Sequence, residues 1–211
     1  FARFVLPHPN PAIDYAHSQV RRGAWHVTSD VPVVVAQHSP VCCQTYYSAD
    51  ASLVPPVSGL GTRYRNVGWE TWGAQTGYFP GQLSLTPAGA RATVDFTPRV
   101  GGSQPVPDVA GRLSLVAGTT SMTLDPGDLA TLESIQNILN AAQPPDLSGA
   151  MVEASAPVAA VTGQTCTQMP NGVFSCDHVE EYLASVDHWG RTFDLAPADR
   201  KSTRLNSSHS S

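Results

Sequence analysis

The sequence is poor in charged residues, and lysine is almost absent from it. Only 14% of the 211 residues are Asp, Glu, Lys or Arg, below the roughly 25% that is usual in globular domains. Lys201 is the single lysine, and the formal net charge is −5, so we expect no nucleic acid partner. No apolar run approaches the roughly 20 residues of a membrane-spanning helix, and we therefore expect no membrane insertion.

Common catalytic and cofactor-binding motifs are also missing. The sequence contains no G-x-S-x-G, H-E-x-x-H or P-loop pattern, and the glycines at 59 and 61 lack the third glycine of a dinucleotide-binding loop. We therefore predict a protein that is not an enzyme and that binds no cofactor. A glycosidase needs only two suitably placed carboxylates, so a carbohydrate-active enzyme or carbohydrate-binding domain is the alternative.

Neither end of the sequence resembles a natural terminus. The chain begins at Phe1 without a methionine, and we interpret this start as a truncation that removed a signal peptide. The C-terminal stretch, DRKSTRLNSSHSS, contains the only lysine and is rich in serine. It resembles translated read-through of a sequencing adapter, so we predict that residues 198–211 form a non-native, disordered tail.

Glycine and proline are abundant, with 17 and 18 residues, and they separate short apolar runs along the whole chain. This pattern is typical of all-β proteins, and we predict an antiparallel β-sandwich-like fold. The sequence predicts a hairpin across Pro87–Ala90, a strand pair across 117–119 and a tight turn at Leu124–Asp128. The predicted strands are 25–28, 31–36, 82–86, 92–97, 112–116 and 122–124.

Residues 129–142 are compatible with two structures. Their apolar residues fit one face of a helix that would begin after Asp128 and end before Pro144. The surrounding β pattern favours a strand instead. We predict a strand at Leu129–Glu133, followed by a short helical turn at 135–141.

Two segments of the chain match later segments in the same order. GAWHVTSDVPVVVAQ, from Gly23, matches GAMVEASAPVAAVTG, from Gly149, at an offset of 125 residues (126 for the leading Gly-Ala pair). Leu60–Tyr64 matches Trp189–Phe193 at an offset of 129. We predict an internal duplication, with a first β repeat at 1–145 and the start of a truncated second repeat at 146–197, packed as one β domain.

The segment APVAAVTGQTCTQMPNGVFSCDHVEEYLASVDHWGRTF, from Ala156, combines a Pro-Val strand, a cysteine, C-D-H and a W-G turn. Together with SDVPVV, DASLVPP and LGTRY in the first half, it resembles the IgGFc-binding protein N-terminal domain family over residues 22–196. The sequence departs from the family at Ala184–Val186, where paired prolines are common.

The resemblance implies a repeated β domain of a secreted or cell-surface protein, and we interpret the chain as a fragment of a bacterial member. A binding or adhesion function follows, with a protein or glycan ligand. Fc binding is not carried over, because no motif here is known to confer it. A purely structural spacer is a further alternative.

Four cysteines are present, and two of them bracket a short loop. Cys166 and Cys176 flank a Pro-Asn-Gly turn, and in an extracellular compartment this favours a disulfide. A zinc site is the alternative, although the spacing is wider than in zinc knuckles. Cys42 and Cys43 are adjacent and could pair with each other, pair elsewhere or remain free.

Two further groups are candidates for a site. Asp177, His178 and Glu181 are weak candidates for a metal site, and hydrogen bonding to the loop backbone is the alternative interpretation. The aromatic residues Trp69, Trp72, Tyr46 and Tyr47 are candidates to face a ligand. The alternative is that these aromatic residues cap the open ends of a sandwich.

Overall fold

The computed structural model describes residues 2, 4, 18–39, 50–74, 77–99, 118–134, 146–168, 172 and 176–194. These ranges contain twelve strands and two 3-10 helices, and all their strand pairs are antiparallel. The predicted fold class, all-β and antiparallel, is therefore confirmed. The strands are β1 Gln19–Arg22, β2 Val35–Ser39, β3 Asp50–Val54, β4 Gly61–Arg65, β5 Trp72–Ala74, β6 Gly77–Phe79, β7 Gln82–Pro87, β8 Ala92–Thr97, β9 Thr120–Leu124, β10 Asp128–Glu133, β11 Met151–Thr167 and β12 Asp177–Tyr182; the 3-10 helices are η1 Val57–Gly59 and η2 Val186–His188.

The long strand β11 is the centre of the main sheet. The strand order is β1-β10-β7-β11-β8-β9, and β4 and β12 also pair with β11. Val158 pairs with Gly61 of β4 on one side and with Pro87 of β7 on the other. The first half of β11 lies between β4 and β8, and the second half lies between β12 and β7. The register of β11 with β4 shifts between Glu153 and Val158.

The predicted hairpin across Pro87–Ala90 is wrong, although both of its strands are confirmed. β7 and β8 do not pair with each other but follow one another along the same edge of β11. The backbone N–H of Ala88, in the connection, donates to the carbonyl of Pro157 (2.9 Å). β11 therefore supplies the hydrogen-bond partners that a hairpin would have supplied.

Alternating side chains of the sheet form a hydrophobic core. The strands are rich in Val, Leu, Thr and Ala, and every second residue of β7, β8 and β9 is buried. Each fully buried large apolar side chain contributes roughly 1.5–3 kcal/mol relative to an exposed one. The buried apolar residues are Tyr64, Leu83, Leu85, Ala92, Val94, Phe96, Met122, Leu124, Ala130, Leu132, Leu147, Ala150, Val152, Val158 and Ala160.

The predicted strand at Leu129–Glu133 is confirmed as β10, and a tight turn precedes it. Asp128 N–H donates to the carbonyl of Asp125 (2.8 Å), and the carboxylate of Asp128 accepts from Asp125 N–H (2.8 Å). Gly127 has a φ of +89°, a conformation that favours glycine. The predicted helical turn at 135–141 and the predicted strand at 112–116 lie outside the described residues.

The strands predicted at 25–28 and 31–36 are wrong for most of their length. Residues 23–34 are not in a strand, and β2 begins only at Val35. Pro32 has no N–H to donate, and none of the described strands pairs with this segment. The internal duplication and the repeat boundary at residue 145 remain predictions.

Candidate ligand-binding ribbon

A two-stranded ribbon lies apart from the main sheet in the hydrogen-bonding pattern. β5 and β6 pair antiparallel, with Trp72 opposite Phe79, Gly73 opposite Tyr78 and Ala74 opposite Gly77. We call residues 72–79 the aromatic ribbon. Ala74 and Gly77 are the last described pair of the ribbon, and each strand contains a glycine.

The first and last residues of the aromatic ribbon form an aromatic pair. The rings of Trp72 and Phe79 are stacked, with centroids 5.5 Å apart and an interplanar angle of 29°. Both residues are partly exposed. Such a pair presents apolar area in a fixed geometry, because each ring limits the rotamers of the other.

The base of the aromatic ribbon is fixed by hydrogen bonds to the main sheet. Gln164 of β11 donates from Nε2 to the carbonyl of Phe79 (2.6 Å). Ser134 Oγ accepts from Gly81 N–H (2.9 Å) and lies 2.6 Å from Thr71 Oγ1. The two ends of the ribbon are therefore held to the main sheet by hydrogen bonds.

The structure places the four predicted aromatic residues in different situations. Trp72 is partly exposed and stacked, as described above, whereas the indole Nε1 of Trp69 is buried without a hydrogen-bond partner among the described residues. Tyr46 and Tyr47 lie outside the described residues. The sequence interpretation missed Phe79; the Gly-Ala before and the Gly-Tyr-Phe after a two-residue connection were the available signal for its pairing with Trp72.

The predicted Cys166–Cys176 disulfide is confirmed. Its Cα atoms are 5.2 Å apart, within the usual range for disulfides. It joins Cys166, near the end of β11, to Cys176, the residue before β12. The ladder between the two strands is irregular at this end. Since both sulfur atoms are in this bond, the zinc alternative for this pair is wrong; Cys42 and Cys43 lie outside the described residues.

The acidic side chains of β12 contact the ribbon formed by β2 and β3. Glu180 Oε2 accepts from Gln37 Nε2 (3.0 Å) and lies 3.4 Å from His178 Nε2. Glu181 accepts from the hydroxyl of Ser52 (3.1 Å). Burial and, to a smaller extent, the negative charge of Glu180 raise the pKa of Tyr182. These contacts dock β2 and β3 against β12.

The predicted metal candidates Asp177, His178 and Glu181 all lie at this strand. In the part of the chain that the structure describes, no three His, Cys, Asp or Glu side chains are arranged to hold a metal ion. Glu180 and Glu181 of this strand instead accept hydrogen bonds from Gln37 and Ser52 within the fold.

A second polar cluster fixes β4 against η2. Asp187 accepts from the backbone N–H of Thr62 (3.1 Å) and from Arg63 Nε (2.8 Å). The Thr62 N–H and the Arg63 guanidinium together hold the pKa of the Asp187 carboxyl well below its usual range.

The hydroxyl of Tyr64 makes two buried hydrogen bonds near this cluster. It accepts from Gly61 N–H (2.9 Å) and donates to the carbonyl of Val158 (2.6 Å). Burial raises the pKa of the Tyr64 hydroxyl.

The described helices are single 3-10 turns, and neither has the length or apolar character needed to cross a membrane. The described residues therefore define a disulfide-linked, antiparallel β domain with a partly exposed aromatic pair.

The comparisons with known proteins identify the family. The model of the family described as "IgGFc binding protein" matches residues 50–210. The chain belongs to this family, and the resemblance predicted from the sequence is confirmed. The match includes most of the segment predicted to be a non-native tail; the origin of that segment, the bacterial source and the truncation remain predictions.

A human relative named IgGFc-binding protein is 28% identical over 153 residues, which cover 68% of this chain and 2% of the relative. The chain therefore spans only a small fraction of the length of that protein. No solved structure matches the chain.

Proposed function

We propose that this chain is a non-catalytic binding module of an extracellular or cell-surface protein, and that it contacts a protein ligand through the aromatic ribbon. The observation that carries the proposal is the stacked, partly exposed Trp72–Phe79 pair at the base of the ribbon. Membership of the IgGFc-binding family and the Cys166–Cys176 disulfide support the binding role and the oxidising compartment.

A protein ligand is favoured over a glycan by the packing of the aromatic pair. The two rings lie at an angle of 29° and contact each other, so they form one compact apolar contact area, of the kind that acts as an anchor in protein interfaces. The ribbon is fixed at its base by Gln164 and Ser134, which limits the entropy lost on binding.

The non-catalytic role is supported by what the buried carboxylates do. Glu180 is bonded to Gln37 and lies next to His178. Glu133 accepts from Gln82 Nε2 (2.7 Å). These two carboxylates therefore have roles in packing strands together.

The test uses the whole chain and an immunoglobulin Fc fragment. No motif of the sequence indicates Fc binding, but the family and the human relative both carry IgGFc in their names, so Fc is the first protein probe. Binding of Fc is measured by surface plasmon resonance for the wild type, for Trp72→Ala and for the control Val67→Ala, which changes an exposed residue outside the ribbon. We expect binding by the wild type and a loss of roughly tenfold or more in affinity for Trp72→Ala, as for an aromatic hot spot. The Val67→Ala control should bind like the wild type.

Circular dichroism of each variant separates loss of contact from loss of fold. Equal Fc affinity of Trp72→Ala and the wild type would show that the ribbon is not the binding surface. If Fc does not bind and the chain instead binds a glycan of a glycan array in a Trp72-dependent way, the ligand is a glycan and the protein-ligand proposal is wrong. If neither probe binds, the spacer interpretation gains support.

A further inference from the structure

Two antiparallel strand pairs, β2–β3 and β11–β12, have the same register. The comparison uses the offsets of 125 and 129 residues that relate the two matched halves of the sequence. In the first hairpin, Ala36 of β2 pairs with Leu53 of β3. The offset of 125 carries Ala36 to Val161, and the offset of 129 carries Leu53 to Tyr182. Val161 and Tyr182 are directly paired between β11 and β12.

The agreement continues along both hairpins. Gln37 pairs with Ser52 in the first hairpin, and the positions at the same two offsets, Thr162 and Glu181, pair in the second. The offset of 125 is fixed by the identical residues Val27, Pro32 and Val33, and the offset of 129 by the block Leu60–Tyr64. None of these residues is among the positions whose pairing is compared, so the shared register is additional support for the correspondence.

The two 3-10 helices correspond in the same way. The offset of 129 carries η1, Val57–Gly59, onto η2, Val186–His188. Each helix is closed by a backbone N–H that donates to the carbonyl of the first helical residue: Leu60 to Val57 (3.2 Å) and Trp189 to Val186 (3.3 Å). Hairpin, 3-10 helix and following residue therefore form one unit that occurs twice.

The segments that flank this unit differ sharply in burial. Val152 and Val158 of β11 are 0% exposed, whereas their equivalents in the first copy, Val27 and Val33, are 58% and 57% exposed. After the 3-10 helix, Tyr64 of β4 is 1% exposed, but its equivalent, Phe193, is 71% exposed. Equivalent residues are thus core in one copy and surface in the other.

The pairing of β11 explains this difference. The first half of β11 begins the second copy, yet it pairs with β4 and β8, which belong to the first copy. The core of one copy is therefore completed by the first strand of the next. Residues 27–34 correspond to the first half of β11, and residues 190–194 correspond to β4, but neither segment pairs with a described strand.

We propose that residues 27–34 are a donor strand that completes the preceding repeat unit of the same protein, by antiparallel pairing with the strand equivalent to β4. Residues 190–194 are the acceptor that this chain offers to a donor strand from another unit. The register follows from Val152–Tyr64 and Glu153–Arg63 in the structure. It places Val27 opposite Phe193 and Thr28 opposite Thr192.

The chemistry of the two exposed segments fits this pairing. Pairing would provide partners for backbone N–H and C=O groups on both segments, and it would remove Val27, Val33 and Phe193 from water together. The human relative is many times longer than this chain, which covers 2% of it, so such proteins have room for neighbouring units. This surface is separate from the aromatic ribbon, and the inference does not depend on the proposed ligand.

The test is register-specific cross-linking between two copies of the full-length chain. In a Cys42→Ser, Cys43→Ser background, a Thr28→Cys variant is mixed at high concentration with a Thr192→Cys variant and oxidised. Residues that lie opposite each other in an antiparallel pair are close enough for a disulfide. The matched control mixes Thr28→Cys with Arg191→Cys, whose side chain points to the other face of the strand.

Mass spectrometry of linked peptides gives the result. We expect the 28–192 link in at least tenfold excess over the 28–191 link. We also expect the sedimentation coefficient of the wild type to rise with concentration, and this rise to be lost in Val27→Asp but kept in Val67→Asp. Equal yields of the two links, or no 28–192 link at the highest soluble concentration, would overturn the proposal.

Discussion

Asp187 links η2 to β4 through hydrogen bonds to its carboxylate. Its carboxylate accepts from Thr62 N–H and from Arg63, and these contacts lower its pKa in the folded protein. The unfolded chain therefore takes up the proton first, at a pKa of about 4. The stability that this group contributes is present above about pH 4 and is lost as the pH falls further.

We expect Asp187→Asn to lower the melting temperature at pH 7 and to have a smaller effect at pH 3. Thermal unfolding followed by circular dichroism at the two pH values checks this expectation. A difference between wild type and variant that is the same at both pH values would show that the carboxylate charge is not what holds β4 and η2 together.

Tyr64 joins two backbone groups inside the core through a single hydroxyl. Removing it in Tyr64→Phe leaves Gly61 N–H and the Val158 carbonyl without that partner, at a cost of about 1–3 kcal/mol in the free energy of unfolding. Tyr182→Phe is the matched control, since its hydroxyl donates to Gln37 in a less buried setting. Urea unfolding should show the larger loss for Tyr64→Phe; equal losses would contradict this account.

At the scale of elements, the aromatic ribbon depends on the absence of a side chain at Gly81. A Cβ at this position would overlap with the backbone carbonyl oxygen of Trp69, which cannot move without shifting the start of the ribbon. We expect Gly81→Ala to cost roughly 1–3 kcal/mol and to change the near-ultraviolet circular dichroism of the tryptophans. Gly59→Ala is the control, because a Cβ there would make only ordinary contacts at 3.7 Å or more; a similar effect from both would refute the role of Gly81.

The disulfide closes the loop between β11 and β12 at the end of an irregular ladder. Closing a loop of this length stabilises the fold by roughly 3 kcal/mol in the chain-entropy treatment. We expect reductant to lower the urea midpoint of the wild type and to have no such effect on the double variant Cys166→Ser, Cys176→Ser. The prediction fails if the double variant unfolds at the same urea concentration as the oxidised wild type.

At the scale of the whole molecule, the alternation of apolar residues predicted which segments are strands but not which strands pair. The strands at 82–86 and 92–97 were predictable because their buried residues alternate. Their partner is β11, more than 50 residues further along the chain. No local sequence pattern indicates a pairing partner that lies so far away in the sequence. A hairpin between neighbours was therefore the natural but wrong expectation.

The residues of the candidate site were predictable only in part. Cys166 and Cys176 were predictable as a pair because the loop between them is short and contains a turn. The Trp72–Phe79 stack was missed because it depends on the register of a small hairpin. The segment at 27–34 has the apolar character of a strand but no described partner, and sequence alone cannot distinguish a strand with a partner from one without.

Val158 and Val33 are a matched pair that tests whether the first half of β11 belongs to the core and residues 27–34 do not. The two valines occupy equivalent positions, but Val158 is buried between β4 and β7, and Val33 is exposed. Val158→Ala should lower the free energy of unfolding by roughly 2–3 kcal/mol, through lost burial and a cavity. Val33→Ala should change it by no more than about 0.5 kcal/mol, as an exposed substitution. Urea unfolding at a protein concentration too low for self-association measures both; losses of similar size would mean that residues 27–34 already pack into the core of this chain.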